Sequence, residues 1–313
     1  MKIIAITNIK GGVGKTTSAV NLAYLCAAGG HSTLLWDLDA QGASTYLLRV
    51  EAFESVSARK LVAGKRELPE VVVRTAYPRL DLLPANLSYR NFDLHLAERK
   101  RPTERLLRMT RAVRERYAAL FLDCPPGISL LSENVLRAAD YLLVPLLPTP
   151  LSVRMLVQLR EFLDTQGWGD LLLLPFFSMV DRRRSLHREL IEESRARFPS
   201  LLTTEVPYWS EIERMTRQRA PLNALAPRSA AAAVYARLWA EIEQRIGALP
   251  EPEPADEAAG AAVEGDALEL APPEVPAWTT PDGIAESPPT EVSTASAAGG
   301  TRGEINEATE WDD

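Results

Sequence analysis

The chain has 313 residues, a net charge of −7 and two cysteines, Cys26 and Cys124. Both cysteines lie in apolar sequence and lack the spacing of a metal or redox motif, which excludes a cysteine-based metal centre. No run of about 18 apolar residues is present, and the first apolar stretch begins at once, so we expect neither a membrane span nor a signal peptide. These features predict a cytoplasmic protein.

The composition changes sharply near Leu249. Residues 250–313 contain 16 acidic residues and one arginine, so this segment carries −15 while residues 1–249 carry +8. The segment is rich in Pro, Glu, Ala, Ser and Thr and has few large apolar side chains, too few to offset the conformational entropy lost on folding. We therefore predict one domain over residues 1–249 and a disordered acidic tail over residues 250–313.

Short apolar runs alternate with helical patterns along residues 1–249. The predicted strands are Lys2–Thr7, Ser32–Asp37, Leu80–Pro84, Ala118–Asp123, Tyr141–Leu147, Leu171–Phe177 and Leu202–Val206. The predicted helices are residues 16–29, 103–116, 130–139, 152–165, 184–198 and 228–246. This alternation predicts a doubly wound α/β fold with a mostly parallel sheet. Ligands of such sheets bind beyond the carboxyl ends of the strands.

A glycine-rich loop lies between the first predicted strand and the first predicted helix. It reads Lys10-Gly11-Gly12-Val13-Gly14-Lys15-Thr16-Thr17. Strand, glycine loop and helix form the context of a P-loop, in which backbone N–H groups and a helix N-terminus surround phosphates. In that context Lys15 is placed for the β- and γ-phosphates, and the Thr16 hydroxyl for Mg²⁺. The sequence therefore predicts a site for a nucleotide and magnesium.

The loop departs from the general P-loop pattern, because Ile9 stands where a glycine is expected and Lys10 follows it. In this it resembles the deviant Walker A loop of the ParA/MinD/nitrogenase-iron-protein superfamily. The resemblance implies an ATPase that dimerises on ATP, in which Lys10 of each subunit reaches the phosphates bound by the other. The iron protein of nitrogenase holds its cluster with cysteines that this chain does not match, which argues against that branch.

Two more motifs resemble those of the superfamily. Residues Asp37–Thr45 resemble its switch I, which implies that Asp39 orients the attacking water and that Gln41 supports the γ-phosphate. Residues Leu120–Gly127 resemble its switch II, in which a carboxylate at a strand tip, here Asp123, holds Mg²⁺. The resemblance thus assigns catalysis to Lys10, Lys15 and Asp39, and the metal to Thr16, Asp39 and Asp123.

Two later segments resemble the adenine-binding segments of the superfamily. Phe177–Arg182 follows a predicted strand, with Ser178 where relatives often carry Asn, and Glu205–Tyr208 resembles an Ile-Pro segment. The residues that the resemblance places against adenine are Met179, Asp181 and Pro207. The alternative is that both segments are plain strand-to-helix connections.

Arginines cluster in the last third of residues 1–249. The resemblance implies that they bind DNA without sequence preference, since clustered arginines neutralise phosphates. The residues it implicates are Arg182, Arg183, Arg184, Arg188, Arg214 and Arg217. The alternative is a solvated helix face, paired with neighbouring glutamates.

As a whole, residues 1–246 resemble ParA-type partition and positioning ATPases, in a short form without an N-terminal helix-turn-helix. The resemblance implies a nucleoid-associated homodimer that distributes a plasmid, a chromosome or a protein body such as a carboxysome. A ParB-like protein or a cargo adaptor would stimulate its slow ATP hydrolysis. The acidic tail differs from the basic membrane helix of MinD-like relatives, so we expect no membrane partner.

Three uncertainties stay open at the level of sequence. An amide-forming ligase of the dethiobiotin or cobyrinate synthetase type shares the P-loop scaffold and is one alternative function. A regulator that binds nucleotide without turnover is another. The acidic tail is interpreted as a spacer, as a screen over the basic face, or as a partner-binding motif around Ile305–Asp313.

Overall fold

The computed structural model describes residues 1–51 and 57–250. Within them, one sheet has the strand order β3-β4-β2-β5-β1-β6-β7-β8. The strands are β1 (Lys2–Ile6), β2 (Thr33–Asp37), β3 (Val73–Arg74), β4 (Leu80–Leu83), β5 (Ala119–Asp123), β6 (Tyr141–Leu146), β7 (Leu172–Val180) and β8 (Val206–Pro207). Only β3 pairs antiparallel, so the predicted mostly parallel α/β sheet is confirmed.

Helices connect the strands and cover both faces of the sheet. They are α1 (Lys15–Ala28), α2 (Ala43–Leu47), α3 (Ala58–Ala63), α4 (Phe92–Ala97), α5 (Arg105–Thr110), α6 (Leu130–Ala138), α7 (Pro150–Thr165), α8 (Ser185–Arg197), α9 (Ser210–Gln218), α10 (Leu222–Leu225) and α11 (Ala230–Ile246). Short 3₁₀ turns lie at Leu68–Glu70, Leu87–Asn91 and Arg111–Val113. None of the helices in the described ranges is long and apolar enough to cross a bilayer.

The two faces of the sheet carry separate apolar clusters, as a doubly wound fold requires. Successive residues of a strand point to opposite faces, so Ile4 and Ile6 join the cluster under α1 and α11. Ile3 and Ala5 join the other cluster, which includes residues of α5, α6, α7 and α8. Every residue of β2 and β5 is buried, because helices cover these central strands on both sides.

Of the last predicted strand, Leu202–Val206, only Val206 is a strand residue, as the first of the two residues of β8. The reason is a competing hydrogen-bond acceptor on α11, the carboxylate of Glu241. It accepts from the backbone N–H of Thr203 at 2.6 Å and of Thr204 at 2.9 Å, so neither group is free for a strand partner. The predicted helix over 103–116 is likewise shorter, ending as α5 and continuing as a 3₁₀ turn.

The sheet register brings the sequence motifs to one edge. Because β1, β2 and β5 are parallel neighbours, their carboxyl ends meet, and Asp123 at the end of β5 is the register partner of both Ile6 and Asp37. The loops that follow β1, β2 and β5 therefore lie side by side. The predicted disordered tail, apart from Pro250, lies outside the described residues.

Candidate functional site

The loop between β1 and α1 folds as an anion-binding turn. Gly12 and Gly14 adopt φ values of +69° and +89°, a left-handed backbone that other residues rarely adopt. No side chain in the described ranges caps the first turn of α1, for which Gly14 is the N-cap. The first N–H groups of α1 and the helix dipole therefore remain available to a negatively charged ligand.

The two lysines of this loop differ in their surroundings. Lys15 is buried, and its Nζ donates to the carbonyl oxygen of Lys10 at 3.2 Å. Burial lowers the pKa of Lys15, and the nearby charges of Asp123 and Asp39 act in the opposite direction. The Lys10 side chain is exposed to solvent. Lys15 thus lies inside the site, whereas Lys10 lies at its surface.

Asn8 fixes the backbone from which Lys10 projects. Its Nδ2 donates to the carbonyl oxygen of Pro145 on β6 at 2.8 Å, and its Oδ1 accepts from the N–H of Lys10 at 2.9 Å. The side chain is buried, so its hydrogen bond to Pro145 is shielded from water. The start of the loop is therefore tied to the neighbouring strand.

Two buried carboxylates end the central strands. Asp37 accepts hydrogen bonds at Oδ2 from the N–H and the hydroxyl of Thr45, at 2.9 and 2.8 Å. Asp123 accepts at Oδ2 from the Ser44 hydroxyl at 2.7 Å, whereas its Oδ1 is buried without a hydrogen-bond partner among the described residues. Burial raises the pKa of both carboxyl groups, and the charge of Asp37 raises that of Asp123 further. A cation beside Asp123 would favour its ionised form.

The donor set around Asp123 fits Mg²⁺ bound together with a phosphate. The Thr16 hydroxyl and Asp39 both lie near enough to Asp123 to affect the pKa of its carboxyl, which Thr16 lowers and Asp39 raises. No cluster of three or more His, Cys, Asp or Glu side chains occurs in the described residues. A site with one carboxylate and one hydroxyl suits Mg²⁺, which takes its other ligands from phosphate oxygens and water. The unpartnered Asp123 Oδ1 is where such a cation would be held.

The remaining predicted switch I residues lie at the same edge. Asp39 is half-buried, its Oδ1 accepts from the N–H of Gln41 at 2.9 Å, and its own N–H donates to Asp37 at 3.2 Å. Gln41 is exposed. Gly42, which follows it, has φ +64° and forms the N-cap of α2. The chain therefore turns sharply at Gly42, directly after the segment that contains Asp39 and Gln41.

The predicted adenine segments meet each other beside the P-loop. Ser178 is buried, and a Cβ added to Gly14 would lie 3.0 Å from its Oγ. Met179 has φ +56° at an irregularity in the pairing of β7 with β8, and Pro207 is the register partner of the next residue, Val180. The structure thus brings Met179 and Pro207 to one end of the sheet, close to the loop.

Asp181 is bound to a neighbouring arginine. Its carboxylate accepts from the Arg183 guanidinium at 2.9 and 3.0 Å and from the Arg183 N–H at 3.1 Å. These hydrogen bonds lower the pKa of Asp181 to about 2. The backbone N–H of Asp181 donates to Nδ1 of the buried His187. An adenine contact through the Asp181 side chain would compete with Arg183.

The six arginines predicted to bind DNA are not equally free. Arg182 pairs at 3.0 Å with the mostly buried Glu205, and Arg183 pairs with Asp181. The other four are exposed and have no ion pair within the described residues; they are Arg184, Arg188, Arg214 and Arg217. Free positive charge in this region therefore lies on Arg184, the residue before α8, on Arg188 in the first turn of α8, and on α9.

The roles of three site residues escaped the sequence interpretation because they depend on folding. Asn8 holds the base of the loop, Ser44 hydrogen-bonds to Asp123, and Ser178, considered in the sequence only as an adenine-binding position, lies beside Gly14. Asn8 and Ser44 are small polar side chains near glycines of the chain. Such residues signal turns as often as sites, so only the sheet register reveals their partners.

The fold and the site together define the class of the protein. It is a P-loop nucleotide-binding protein with a lysine ahead of the phosphate loop. The model of the AAA domain family matches residues 1–166. The chain is 31% identical over 250 residues to the sporulation initiation inhibitor protein Soj of Bacillus subtilis (strain 168), which covers 77% of this chain and 98% of Soj. The chain belongs to the ParA/MinD superfamily of ATPases.

Solved structures share the fold. A complex of cobyrinic acid a,c-diamide synthase from Mycobacterium smegmatis with an ATP analogue and magnesium has a TM-score of 0.68 and 25% identity, covering 81% of this chain and 100% of that one. An ATP complex of a McdA variant from Cyanothece has a TM-score of 0.69 and 22% identity, covering 80% and 98%. ATP and magnesium, the predicted cofactors, are thus found bound to this fold.

Proposed function

We propose that the chain is an ATPase that dimerises on ATP, binds DNA without sequence preference and positions a cargo with the help of a partner protein. The observation that carries the proposal is the exposed Lys10, which is anchored by Asn8 directly ahead of the phosphate loop. Within one subunit Lys15 already supplies a cation to the loop. A second, outward lysine is explained if it serves the nucleotide of another subunit.

Each residue at the carboxyl edge has a role in this proposal. Lys15 and the N–H groups of Gly11–Thr17 bind the triphosphate, while Thr16 and Asp123 hold Mg²⁺. Bound Mg²⁺ would supply neutralisation of the phosphate charge at this position. Asp39 orients the attacking water, and Gln41 contacts the γ-phosphate. Met179, Asp181 and Pro207 surround adenine.

Lys10 provides the charge that other P-loop enzymes obtain from an arginine finger. In a face-to-face dimer, the Lys10 of each subunit reaches the triphosphate of its partner. ATP then builds the dimer and is hydrolysed by it, so a lone subunit turns over slowly. A partner protein that docks on the dimer accelerates the step.

DNA binding is assigned to the exposed arginines of α8 and α9. Arg214 and Arg217 lie on α9, and Arg184 and Arg188 at the start of α8 add to them. Arg182 and Arg183 were predicted as contacts too, but each would first leave a carboxylate partner. Gel retardation of DNA by the ATP-bound protein, at low and at raised salt, tests the assignment. Failure to retard DNA at low salt would disprove it.

The names of the relatives guide our proposal for the cargo and its adaptor protein. A relative from Caulobacter vibrioides (strain NA1000 / CB15N) bears the name chromosome partitioning protein ParA, which favours a chromosome as the cargo. A protein body such as a carboxysome is the other cargo that the sequence resemblance implies. We propose residues 1–249 as the ATPase domain and residues 250–313 as a separate acidic tail. In the cell the dimer would reside on the nucleoid within the cytoplasm, with a ParB-like or cargo-adaptor protein as its partner.

An amide-forming ligase is the second candidate, favoured by the 25% identity and shared fold of cobyrinic acid a,c-diamide synthase. Such an enzyme uses ATP to activate a carboxylate. A phosphate-release assay separates the functions. We expect slow release in the protein alone, faster release with DNA and partner, and none in Lys15→Ala, while the exposed-site control Lys65→Ala behaves as wild type. Release that requires a small carboxylic acid would favour the ligase, and no release at all would favour a nucleotide-binding regulator.

A further inference from the structure

Two arginines, here called the arginine pair, join the end of α2 to the end of α9. Arg49 lies just beyond α2, and its Nε and Nη2 donate to the carbonyl oxygens of Arg219 and Gln218 at 3.1 and 2.9 Å. Arg219 ends α9, and its Nε donates to the carbonyl oxygen of Tyr46 on α2 at 2.9 Å. Its guanidinium also lies 4.4 Å from the centroid of the Tyr46 ring. Each arginine therefore binds the last turn of the other helix.

Both members of the pair have a backbone conformation that is unusual for arginine. Arg49 has φ +57° and Arg219 has φ +50°, in the left-handed region where a Cβ costs free energy. Glycine is the common residue at such a helix end, as Gly64 is after α3 with φ +71°. A glycine would relieve the strain but could not join the two helices. The reciprocal hydrogen bonds account for arginine at both positions.

The acceptors of the arginine pair are uncharged. No ion pair involves either arginine in the described part of the chain. Both guanidinium groups bind carbonyl oxygens at the carboxyl end of a helix, where the helix dipole favours a cation. Arg49 is exposed, so water competes for its hydrogen bonds. The contact can therefore break and re-form without disruption of the core.

One of the joined helices, α2, is bound to both buried carboxylates of the phosphate edge. The Ser44 hydroxyl donates to Asp123, and the N–H and hydroxyl of Thr45 donate to Asp37. The unpartnered Oδ1 of Asp123 is where Mg²⁺ would be held, so the Ser44 hydroxyl and the metal share one carboxylate. Because α2 has only five residues, a restraint on Ser44 acts on the whole helix.

The other joined helix, α9, lies mostly at the surface. Within α9, all of whose residues the structure describes, Met215 is the one buried side chain. Its Sδ accepts from Asn21 Nδ2 on α1 at 3.1 Å, and the arginine pair holds the carboxyl end of the helix. Arg214 and Arg217, which the proposed function assigns to DNA, are exposed on it. A helix with so little buried surface opens locally at low free-energy cost.

We propose that Arg49 and Arg219 couple the phosphate edge to α9 within one subunit. When nucleotide and Mg²⁺ are bound at Asp123, α2 is held in place, and the arginine pair then holds α9. Both arginines are positioning residues and do not contact the nucleotide. The coupling itself needs neither DNA nor a second subunit; its consequence for Arg214 and Arg217 rests on the proposed function. Since coupling is reciprocal, a firmly held α9 raises nucleotide affinity by the same factor.

Hydrogen–deuterium exchange of the full-length protein, with and without a non-hydrolysable ATP analogue and Mg²⁺, tests the coupling. Every protein compared carries Lys10→Ala, which removes the proposed contact between subunits. With the arginine pair intact, we expect the analogue to slow exchange several-fold in residues 210–219 as well as in α1 and α2. With R49A/R219A added, we expect slower exchange in α1 and α2 alone. Protection of α1 reports that the analogue is bound.

Arg79→Ala is the matched control for the strain of these substitutions. Arg79 is also exposed and left-handed, with φ +63°, and no ion pair involves it in the described ranges. We expect Arg79→Ala to keep the response of α9 to the analogue. Equal slowing of residues 210–219 in R49A/R219A and Arg79→Ala would overturn the proposal, as would an α9 that ignores the analogue when the pair is intact.

Nucleotide affinity gives a second measurement, which remains decisive if α9 unfolds in R49A/R219A. We expect this variant to bind a fluorescent ATP analogue several-fold more weakly than Arg79→Ala does. Equal affinities, with α9 exchanging freely, would overturn the coupling. Gel retardation without the Lys10 substitution separates the two proposals. A wild type that fails to retard DNA, yet shows the coupled exchange, would contradict only the proposed function. R49A/R219A that keeps the coupled exchange but loses DNA retardation would make the arginine pair a DNA contact instead.

Discussion

Replacement of Asp123 by Asn measures how much the buried carboxylate at the end of β5 lowers the free energy of unfolding. Asp123 is fully buried, and its Oδ1 has no hydrogen-bond partner within the described residues. An unsatisfied buried polar group costs about 1–3 kcal/mol and a charged one costs more, and because the asparagine N–H₂ group is itself unpartnered, the substitution removes only the additional cost of the charge. Asparagine keeps the acceptor for the Ser44 hydroxyl and removes the charge. We expect Asp123→Asn to raise the stability of the ligand-free protein by about 1–3 kcal/mol at pH 8.

The sign of the pH dependence follows from the raised pKa of Asp123. Because the folded protein binds this proton more tightly than the unfolded chain, the favourable contribution is complete below the unfolded pKa of about 3.9. It is lost as the pH rises through the folded pKa. The advantage of Asp123→Asn therefore shrinks as the pH is lowered from 8, and it reaches its minimum below the unfolded pKa of about 3.9, where aspartic acid is neutral in both states.

Thermal unfolding measures this effect. For a domain of this size 1 kcal/mol corresponds to about 2–4 °C in Tm, so we expect Asp123→Asn to gain about 2–12 °C at pH 8 without ligand. Asp170→Asn, the same change at an exposed position, should leave Tm unaltered. With ATP and Mg²⁺ the order should reverse, because only the wild type retains the metal ligand. A variant that melts below the wild type at pH 8 without ligand would refute the reasoning.

Two further substitutions test the packing around the site. Gly14→Ala adds a Cβ 3.0 Å from Ser178 Oγ and strains a left-handed residue, whereas Gly167→Ala adds strain at φ +71° in open space. Isothermal titration should therefore show a loss of ATP affinity for Gly14→Ala alone; equal affinities would contradict this contact. Asn21→Ala leaves the buried N–H of Leu222 without the acceptor 2.8 Å away, so urea unfolding should show a loss of about 1–3 kcal/mol. An unchanged midpoint would show that the α1–α10 hydrogen bond contributes nothing.

The central strands and the phosphate loop were predictable because their signals are local. Residues such as Leu34–Trp36 form an unbroken apolar run, which a strand covered on both faces requires. The glycines of the loop are adjacent in sequence, and their left-handed backbone follows from the residue type. Periodicity and glycine spacing are therefore sufficient for this part of the fold.

The elements that sequence reasoning missed are those set by distant partners. Strand β3 has only two residues and exists through antiparallel pairing with β4. The predicted strand before β8 is diverted by Glu241, which is 37 or 38 residues further along the chain. No local pattern encodes such a contact, because side chains of this kind are exposed as often as they are bonded.

The pairing of charged side chains was also only partly predictable from the sequence. A cluster of arginines along the chain predicted a free basic surface at Arg182 and Arg183, but the fold supplies carboxylates to both. The arginines of residues 99–116 were absorbed into a helix prediction, and their excess positive charge was overlooked. The Asp181 partner of Arg183 is only two residues away, whereas Glu205, the partner of Arg182, is 23 residues away and is brought to it by the fold.

The central claim is that Lys10 acts on the nucleotide of a second subunit. Sedimentation velocity with a non-hydrolysable ATP analogue and Mg²⁺ tests it most directly. We expect wild type and the control Lys65→Ala to shift from monomer to dimer on nucleotide addition. Lys10→Ala should bind the analogue, as followed by fluorescence of a labelled nucleotide, and remain a monomer. A Lys10→Ala protein that dimerises as fully as the wild type would contradict the account.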